Sequence, residues 1–384
     1  MKVAVLGYGT VGAGVYSMLS DAPGMEAGPV LVRPGKAVES FMVSDAALIF
    51  GDPTVDAVVE TLGGLDPAYS YGMRALEAGK HFITANKAMV AAHGLELAAL
   101  AREKGAAFLF SAACGGGVPF LHNLALSAET DRIEAVSGIL NGTTNYILDA
   151  MQRRGLSYGD ALREAQSLGY AESDPTADVS GLDALRKMQL ACAVAFGVLP
   201  QSGMLCEGME HFTAADVEDI QSRGLVCRLM ARGSRAGESV SAYVEPVLFP
   251  RAAPESSVFT NNNMARYTGK RCGSIVLMGQ GAGRFPTASA VLRDLAAAQQ
   301  SARSMFPENC RAAEADNREA VHSYYIRTGG FAAVRLPLRS VLAQGEVVRA
   351  VTEPMSAEKM HALAQNIRKD GNDLFFAALE EELC

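Results

Sequence analysis

The densest group of chemically reactive side chains lies between residues 169 and 187, where four carboxylates fall within twelve residues. Asp183 and Lys187 are four residues apart, so on a helix they share one face. One interpretation is an exposed ion pair, worth about 0.3–0.5 kcal/mol. The other is a polar pocket, in which carboxylates bind an ammonium group and a lysine protonates an oxygen that becomes an alkoxide during hydride addition. In such a pocket Asp183 would keep Lys187 charged and oriented.

A glycine pattern near the N-terminus points to a second chemical function. The spacing G-x-G-x-x-G follows a strand-like stretch at residues 2–6 and precedes apolar residues at helical spacing. The first glycine makes a tight turn, the second admits a pyrophosphate, and the third lets the helix pack on the strand, so that the helix N-terminus faces the anion. The alternative is a glycine-rich turn without a ligand. Dinucleotide binding is predicted at Gly7, Gly9, Thr10, Val11 and Gly12.

The residues that follow the next strands predict which dinucleotide binds and where its nicotinamide lies. The second strand ends near Arg33 and Lys36, with no carboxylate between them, which suits a 2′-phosphate and predicts a preference for NADP(H) over NAD(H). A solvated turn is the alternative. Thr61 and Leu62 follow another strand at the edge that faces the ligand, so we expect them to line the nicotinamide. Lys87 ends a further strand and is predicted to point into this cleft, unless it is a surface lysine.

The elements that must position these residues form an α/β pattern. Strand-like stretches alternate with helical ones up to about residue 128, which predicts a doubly wound Rossmann domain with helices on both faces of a parallel sheet. A mixed α/β substrate and dimerisation domain and a small α+β C-terminal segment are expected to follow. The predicted boundaries are 1–128 with 280–300 returning to it, then 129–279, then 320–384.

The composition excludes several other classes of protein. Hydrophobic residues make up 49% and charged residues 20% of the 384 residues, as in a globular protein with a sizeable core. The net charge of −8 disfavours nucleic acid as a partner. The apolar stretches are shorter than the roughly 18–20 residues of a membrane span, and the N-terminus lacks a signal-peptide pattern. We therefore expect a cytoplasmic protein with no membrane partner. The seven cysteines include no C-x-x-C pair, which disfavours disulfides and structural zinc.

Taken together, several motifs resemble homoserine dehydrogenase of the monofunctional type over about residues 1–300. Besides the glycine loop, they are Thr84-Ala-Asn-Lys87-Ala, Gly115-Gly-Gly-Val-Pro119, Asn141-Gly-Thr-Thr-Asn145, Gly169-Tyr-Ala-Glu through Lys187, and Gly279-Gln-Gly-Ala-Gly283. The resemblance implies NAD(P)-dependent interconversion of L-homoserine and L-aspartate 4-semialdehyde, a step toward threonine and methionine. It also implies a homodimer or homotetramer.

The resemblance also implies roles for individual residues. Asp183 and Lys187 match the catalytic pair, and Lys87 matches a lysine beside substrate and cofactor that is a second candidate proton donor. Gly281 and Gly283 match cofactor positions. The substrate positions are matched by Gly142, Thr143, Tyr170, Glu172, Asp178 and Lys187.

Two features depart from the family pattern. The family's monovalent cation (Na⁺) site uses backbone carbonyls, here matched by Cys114, Gly116 and Val118, together with a glutamate. Ser111 stands at the glutamate position, which predicts weak or absent ion binding. The C-terminal segment resembles only the second half of an ACT domain, so we expect a remnant that packs or dimerises and no threonine feedback.

Two other functions compete with this assignment. A phosphate-dependent semialdehyde dehydrogenase could use Cys114 as nucleophile, but that chemistry needs a histidine base, and the nearest histidine in sequence, His122, is expected on a helix. A non-enzymatic sensor of NADPH or an amino acid would not need the acid–lysine cluster.

Overall fold

The chain folds into two compact units. The structure is a computed structural model that describes residues 1–300, 303–333 and 335–380. The first unit comprises residues 1–133, 189–199 and 269–311, and the second comprises residues 134–188, 200–268 and 312–384.

A parallel sheet forms the centre of the first unit. Its central strand, Lys2–Leu6, has four consecutive residues with no exposed surface, from Val3 to Leu6. Such burial on both faces is typical of a parallel sheet covered by helices. In spatial order the strands are Met42–Val43, Glu26–Leu31, Lys2–Leu6, Ala57–Glu60, His81–Thr84 and Phe108–Leu109.

Helices surround this sheet, and the returning segment supplies one of them. The segment 269–311 contains the strand Gly273–Gln280 and the helix Arg284–Gln299. That helix packs closely on the helix after the glycine loop, since a Cβ on Gly14 would lie 2.8 Å from the carbonyl oxygen of Arg284. The other helices of the unit are Thr10–Leu19, Ala47–Phe50, Ala68–Glu77, Lys87–Lys104 and Phe120–Thr130, with a 3₁₀ turn at Ser111–Ala113.

A mixed sheet forms the centre of the second unit. In spatial order its strands are Asn262–Gly269, Ile133–Ile139, Leu225–Ala236, Ser239–Pro250, Leu374–Leu379, Tyr324–Gly329, Val347–Thr352 and Leu338–Ala343. Strand Leu205–Cys206 pairs beside Ser239–Pro250, and Val321–His322 pairs with Met355–Ser356.

The helices of the second unit carry recognisable caps. Asn141 caps the helix Gly142–Arg154 by accepting from the backbone N–H of Thr144, and Ser157 caps the next helix in the same way. The helices are Gly142–Arg154, Tyr158–Ser167, Thr176–Val179, Ala214–Ser222, Gly330–Ala333 and Ala357–Lys369, with a 3₁₀ turn at Pro254–Ser257.

The chain passes between the units within the helix Leu182–Phe196, and strands Val198–Ser202 and Arg311–Glu314 pair with each other.

The C-terminal segment 320–384, described except for residues 334 and 381–384, is part of the second unit rather than a third body. Strand Leu374–Leu379 runs parallel to Ser239–Pro250, with Val247 opposite Ala378. Buried side chains from both regions share one core, among them Met230, Phe249, Ile326, Met360 and Phe376. This segment therefore contributes to the sheet and core of the second unit.

The predicted α/β class is confirmed, and the strand-like stretch at residues 2–6 coincides with the strand Lys2–Leu6. The strand Leu225–Ala236 was not predicted. None of the helices built from the described residues combines the length and hydrophobicity of a membrane span.

Candidate active site

A cleft of about 1060 Å³ lies beside the glycine loop of the first unit. The cleft lies at the carboxyl ends of the parallel strands, where open α/β sheets bind ligands. The predicted cofactor residues that line it are Gly7, Gly9, Arg33, Lys36, Thr61 and Leu62. Arg33 and Lys36 are both exposed there, so their charges face solvent and any ligand in the cleft.

The three glycines of the loop meet the requirements of a dinucleotide turn. Gly7 has a φ of +99°, which disfavours any residue with a side chain. A Cβ on Gly12 would lie 2.2 Å from the carbonyl oxygen of Gly7, so close packing demands glycine. At Gly9 a Cβ would meet no described atom within 4 Å, which leaves space for a pyrophosphate at the N-terminus of Thr10–Leu19. These residues fit a bound NAD(P).

Sequence reasoning missed a buried carboxylate that shapes the edge of this cleft. Glu60 has no exposed surface, and its Oε1 accepts hydrogen bonds from the backbone N–H groups of Leu62 at 2.6 Å and Gly63 at 3.1 Å. Its Oε2 accepts from the hydroxyl of Thr84 at 2.5 Å. Glu60 therefore fixes the turn that carries Leu62. The signal was present in the sequence, as an acidic residue ending an otherwise apolar strand.

The same hydrogen-bond network extends to the start of the next helix. The backbone N–H of Asn86 donates to Thr84 Oγ1, and the Asn86 side chain donates to the carbonyl of Gly64 at 2.6 Å. Asn86 also caps the helix by accepting from Met89. Lys87 is thus the first residue of helix Lys87–Lys104 and not the end of a strand. It is partly buried.

Several predicted cofactor residues support the cleft without lining it. Among the described residues, the lining does not include Thr10, Val11, Gly12, Lys87, Gly281 or Gly283. Gly281 packs against the loop before Val118, since a Cβ on Gly116 would lie 2.3 Å from the Gly281 oxygen. Gly283 has a φ of +123° and precedes the helix Arg284–Gln299.

An aromatic group also lines the cleft and was not singled out from the sequence. Tyr8 and Phe41 both face it, and Phe41 stacks on Tyr16 with ring centroids 4.3 Å apart. Flat apolar rings of this kind can pack against a nucleotide base. Glu39 lines the same region, so one carboxylate accompanies Arg33 and Lys36.

In the second unit, Asp183 and Lys187 form a mostly buried ion pair. Their side chains are each 12% exposed, and Nζ of Lys187 lies 2.7 Å from Oδ2 of Asp183. Nζ also donates to the backbone carbonyl of Leu140 at 2.6 Å. The interpretation of Asp183 and Lys187 as an exposed ion pair is therefore wrong. A buried pair with a fixed ammonium group is what the polar-pocket interpretation requires.

Asn141 links this pair to a third acidic residue. Its Nδ2 donates to Oδ2 of Asp183 at 2.8 Å and to Oδ1 of Asp178 at 2.7 Å. The same side chain caps the helix Gly142–Arg154, so the start of that helix and the carboxylates are fixed together. Asn141 belongs to the motif Asn141-Gly-Thr-Thr-Asn145, but it was not predicted as a site residue. The available signal was its position as a helix cap before Thr143-Thr144.

Asp178 is held in an environment that resists its ionisation. Burial is the main cause that raises the pKa of Asp178 above its usual 3.8, and the charge of Asp183 raises it further. Hydrogen bonds from Asn141 and Thr143 and the charge of Lys187 act in the opposite direction. A cationic group arriving next to Asp178 would favour its charged form.

The remaining predicted substrate residues lie around this cluster, with one exception. The hydroxyl of Thr143 donates to the carbonyl of Tyr170 at 2.5 Å, and the Tyr170 ring is 38% exposed. Gly142 packs against the carbonyl of Asn261, where a Cβ would lie at 2.7 Å. Glu172 is exposed on the loop after Tyr170, and its backbone carbonyl, not its carboxylate, accepts a hydrogen bond from Gln166.

The residues at the expected monovalent-cation loop do not fit a cation. Ser111 N–H and hydroxyl donate to the carboxylate of Asp294, at 2.8 and 2.6 Å. The guanidinium of Arg293 donates from Nη2 to the carbonyl of Gly117 at 3.0 Å. The carbonyl of Val118 already accepts from Phe120 N–H at 2.7 Å. A positive group therefore contacts the loop, and the serine that replaces the family glutamate is engaged elsewhere.

Burial shifts the pKa values of Asp294 and Arg293 in opposite directions. Burial raises the pKa of the fully buried Asp294 to about 7, although the bonds from Ser111 lower it. Burial also lowers the pKa of Arg293 from its usual range, but an arginine keeps its charge in proteins.

Cys114 is in no position to act as a nucleophile. Its side chain has no exposed surface, and a buried structural thiol is chemically inert. His122 lies on the helix Phe120–Thr130, as expected.

Comparison with known proteins gives one consistent family. The family model described as "Homoserine dehydrogenase, NAD binding domain" matches residues 7–111, and the one described as "Homoserine dehydrogenase" matches residues 119–296. The homoserine dehydrogenase of Corynebacterium glutamicum is 38% identical over 320 residues, covering 78% of this chain and 72% of that protein. That of Pseudomonas aeruginosa is 37% identical, covering 77% and 71%.

Solved structures agree with the sequence comparisons. A homoserine dehydrogenase from Thiobacillus denitrificans matches with a TM-score of 0.88 and 29% identity, over 99% of this chain and 98% of that one. A hyperthermophilic archaeal homoserine dehydrogenase in complex with NADPH matches with a TM-score of 0.67 and 25% identity, over 81% of this chain and 99% of that one.

Proposed function

This chain belongs to the homoserine dehydrogenase family, and from that premise we propose that it works with NADP(H) and uses Lys187 to protonate the reacting oxygen. The chain is an oxidoreductase acting on a CH–OH group, and it interconverts L-aspartate 4-semialdehyde and L-homoserine by hydride transfer with NAD(P)H.

The buried Asp183–Lys187 pair carries the proposed mechanism. A reduced nicotinamide held at the glycine loop Gly7–Gly12 would supply the hydride for the aldehyde carbon, and the substrate oxygen would then gain negative charge. Asp183 and the carbonyl of Leu140 hold the Lys187 ammonium group charged and in place. Lys187 stabilises the developing alkoxide and donates the proton to it, and in the reverse direction its neutral amine accepts the proton of the homoserine hydroxyl.

The other polar residues of the second unit are proposed to bind the amino-acid end of the substrate. Asp178 supplies a carboxylate to the substrate ammonium, which offsets the burial that raises its pKa. Gly142, Thr143 and Tyr170 surround this position. Glu172, on the exposed loop after Tyr170, is proposed to close on the ammonium group when substrate binds.

The preference for NADP(H) is proposed from the charges in the cleft. Arg33 and Lys36 place two cations beside the second strand, against the single carboxylate of Glu39. A 2′-phosphate would form charge-assisted hydrogen bonds with the two cations, whereas a ribose 2′-hydroxyl would not.

Lys87 is proposed to assist at the cofactor end. It begins a helix whose cap, Asn86, is tied to Thr84 and to the carbonyl of Gly64 at the edge of the cleft. That position suits a residue that contacts the cofactor, and it keeps Lys87 as the second candidate proton donor.

A direct assay tests the activity. The purified chain is mixed with L-aspartate 4-semialdehyde and NADPH, absorbance is followed, and the product is identified, with and without phosphate. We expect phosphate-independent consumption of NADPH that yields homoserine. Formation of NADPH only in the presence of phosphate would instead indicate an aldehyde-oxidising dehydrogenase, and no reaction at all would indicate a sensor.

The role of Lys187 has its own test. Lys187→Met should lower kcat by about 10²–10⁴-fold and leave the Kd for NADPH unchanged, while Lys87→Met serves as the comparison. A Lys187→Met enzyme that keeps the wild-type kcat, or whose only defect is weaker NADPH binding, would contradict this assignment.

We also propose that the protein is a homodimer or homotetramer. Val276 and Met278, on strand Gly273–Gln280, are exposed apolar side chains that a second copy would cover. Light scattering of the wild-type chain should give a multiple of 40.4 kDa, and Met278→Lys should weaken the assembly.

A further inference from the structure

A positive side chain contacts the loop Cys114–Val118, which carries the carbonyls matched to the family's metal site. Arg293, on helix Arg284–Gln299, donates from Nη2 to the carbonyl of Gly117 at 3.0 Å, and from Nη1 to Ser289 at 3.2 Å. The guanidinium is thus held between its own helix and the loop. Its Nε is buried and, within the part of the chain that the structure describes, has no hydrogen-bond partner.

The acidic partner of a metal ion is missing from the same loop. Ser111 stands at the position of the family glutamate, and its hydroxyl donates to Asp294 rather than offering an anionic oxygen to the loop. Asp294 follows Arg293 on the same helix, so this helix supplies both an arginine and an aspartate to residues 111–118.

The loop in turn supports the segment that precedes this helix. Gly117 N–H donates to the carbonyl of Gln280 at 3.0 Å, and Gly116 packs so closely on Gly281 that a Cβ would lie 2.3 Å from its oxygen. A positive charge that organises the loop carbonyls therefore also fixes residues 280–283 within the cofactor-binding unit.

We propose that the Arg293 guanidinium takes the place of the monovalent cation at this loop, so that the enzyme binds NADPH and turns over without Na⁺ or K⁺. Arg293 is a positioning residue: it acts through the loop and residues 280–283, not on the reacting atoms. The inference extends the proposed function, because the reaction it serves is homoserine oxidation and its reverse.

The experiment compares salts at constant ionic strength. The Kd for NADPH, read by fluorescence, and kcat are measured in sodium, potassium and N-methyl-D-glucamine chloride. For the wild-type chain we expect values equal within about twofold in the three salts, since screening is the same. A loss of NADPH affinity or turnover in N-methyl-D-glucamine would mean that a metal ion is required, and would overturn the proposal.

Two variants at one position separate charge from packing. Arg293→Met keeps the aliphatic length and removes the charge, and should weaken NADPH binding by about tenfold in N-methyl-D-glucamine, as expected for a lost hydrogen bond to a charged group. Sodium should then recover part of this affinity, because the loop carbonyls lack a cation. Arg293→Lys keeps the charge and should stay within about threefold of wild type.

The outcomes distinguish this inference from the proposed function. An Arg293→Met chain that binds NADPH normally without sodium, or an Arg293→Lys chain as impaired as Arg293→Met, would overturn it. If Arg293→Met does not fold, the wild-type salt series and Arg293→Lys still decide. Absence of homoserine oxidation in every salt would refute the activity, whereas the NADPH-binding results would stand on their own.

Discussion

The side-chain amide of Asn141 donates a hydrogen bond of 2.8 Å to Oδ2 of Asp183, the oxygen that also lies 2.7 Å from Nζ of Lys187. Asn141, which caps the helix Gly142–Arg154, therefore holds a carboxylate that belongs to another helix, Leu182–Phe196. Because the ammonium group of Lys187 is oriented by this carboxylate, its position depends on a residue that never contacts it in the described hydrogen bonds. Asn141 is in this sense a positioning residue for the proposed catalytic pair.

Removing the Asn141 amide should reduce turnover more than substrate binding. Asn141→Ser removes one of the two donors to Oδ2 of Asp183, a loss of about 1–3 kcal/mol, so we expect kcat to fall by roughly 5–150-fold. The measurement is steady-state kinetics with homoserine, together with the Kd for NADPH, which should not change.

A matched variant separates the two roles of Asn141. Serine keeps the helix cap that Asn141 provides to Thr144, whereas Asn141→Ala removes it. We expect Asn141→Ala to lower the free energy of unfolding by a further 0.5–2 kcal/mol or so, with a similar fall in kcat. If Asn141→Ser kept the wild-type kcat, the bridging role would be refuted.

Much of the first unit could be predicted because local signals agree with its fold. Apolar runs such as Val3–Leu6 are buried on both faces, and the glycine turn is required by local sterics at Gly7 and Gly12. The pairing of Asp183 with Lys187 follows from helical spacing alone. In each case the interacting residues are close in sequence, or they belong to a stretch in which apolar residues follow a single helical or strand-like spacing.

What could not be predicted depends on contacts between distant residues. The bond from Ser111 to Asp294 joins positions 183 residues apart. The sequence shows that an acidic residue ends the strand Ala57–Glu60, but it does not show that this carboxylate is buried and accepts hydrogen bonds from the backbone of Leu62 and Gly63. The strand Leu225–Ala236 carries arginines at Arg228, Arg232 and Arg235, which hide its apolar alternation. Arg228 is nevertheless 1% exposed, because carbonyls of Glu255 and Ser256 accept its hydrogen bonds.

Neutralising Glu60 should weaken cofactor binding. In Glu60→Gln an amide replaces one carboxylate oxygen, so the bonds to Leu62, Gly63 and Thr84 can no longer all be made. A loss of about 1–3 kcal/mol is expected at such a buried site, seen as a rise in the Kd for NADPH of roughly 5–150-fold. Fluorescence titration measures it, and Glu39→Gln, in the same cleft, is the control for a simple loss of charge.

The two cations of the cleft should decide between the cofactors. Arg33→Ala with Lys36→Ala removes the partners of a 2′-phosphate, so kcat/KM should fall by about tenfold or more for NADPH and stay nearly constant for NADH. Kinetics with both cofactors gives the ratio. Equal losses with NADPH and NADH would mean that the pair only maintains the shape of the turn.

Replacing Asp178 by asparagine should stabilise the folded chain near neutral pH and weaken substrate binding. Its pKa in the folded chain lies above 3.8, mainly because it is buried, so the folded state binds a proton more tightly than the unfolded one. The stability linked to this proton is complete below about pH 3.8 and is lost as pH rises through the folded pKa. Asp178→Asn removes this loss, and its oxygen can still accept from Asn141.

Chemical denaturation across pH tests this sign. Compared with wild type, Asp178→Asn should gain stability as pH rises toward neutrality and show little difference near pH 3–4 or below, while its KM for homoserine rises by about tenfold or more because the substrate ammonium loses a charged partner. Asp174→Asn is the control with the opposite sign, since bonds from Thr176 lower the pKa of Asp174. Asp174→Asn should be less stable than wild type near neutral pH, and this difference in the free energy of unfolding should disappear as pH falls. A stability profile of Asp178→Asn parallel to wild type would show that Asp178 ionises without cost, and would leave no reason for it to attract the substrate ammonium.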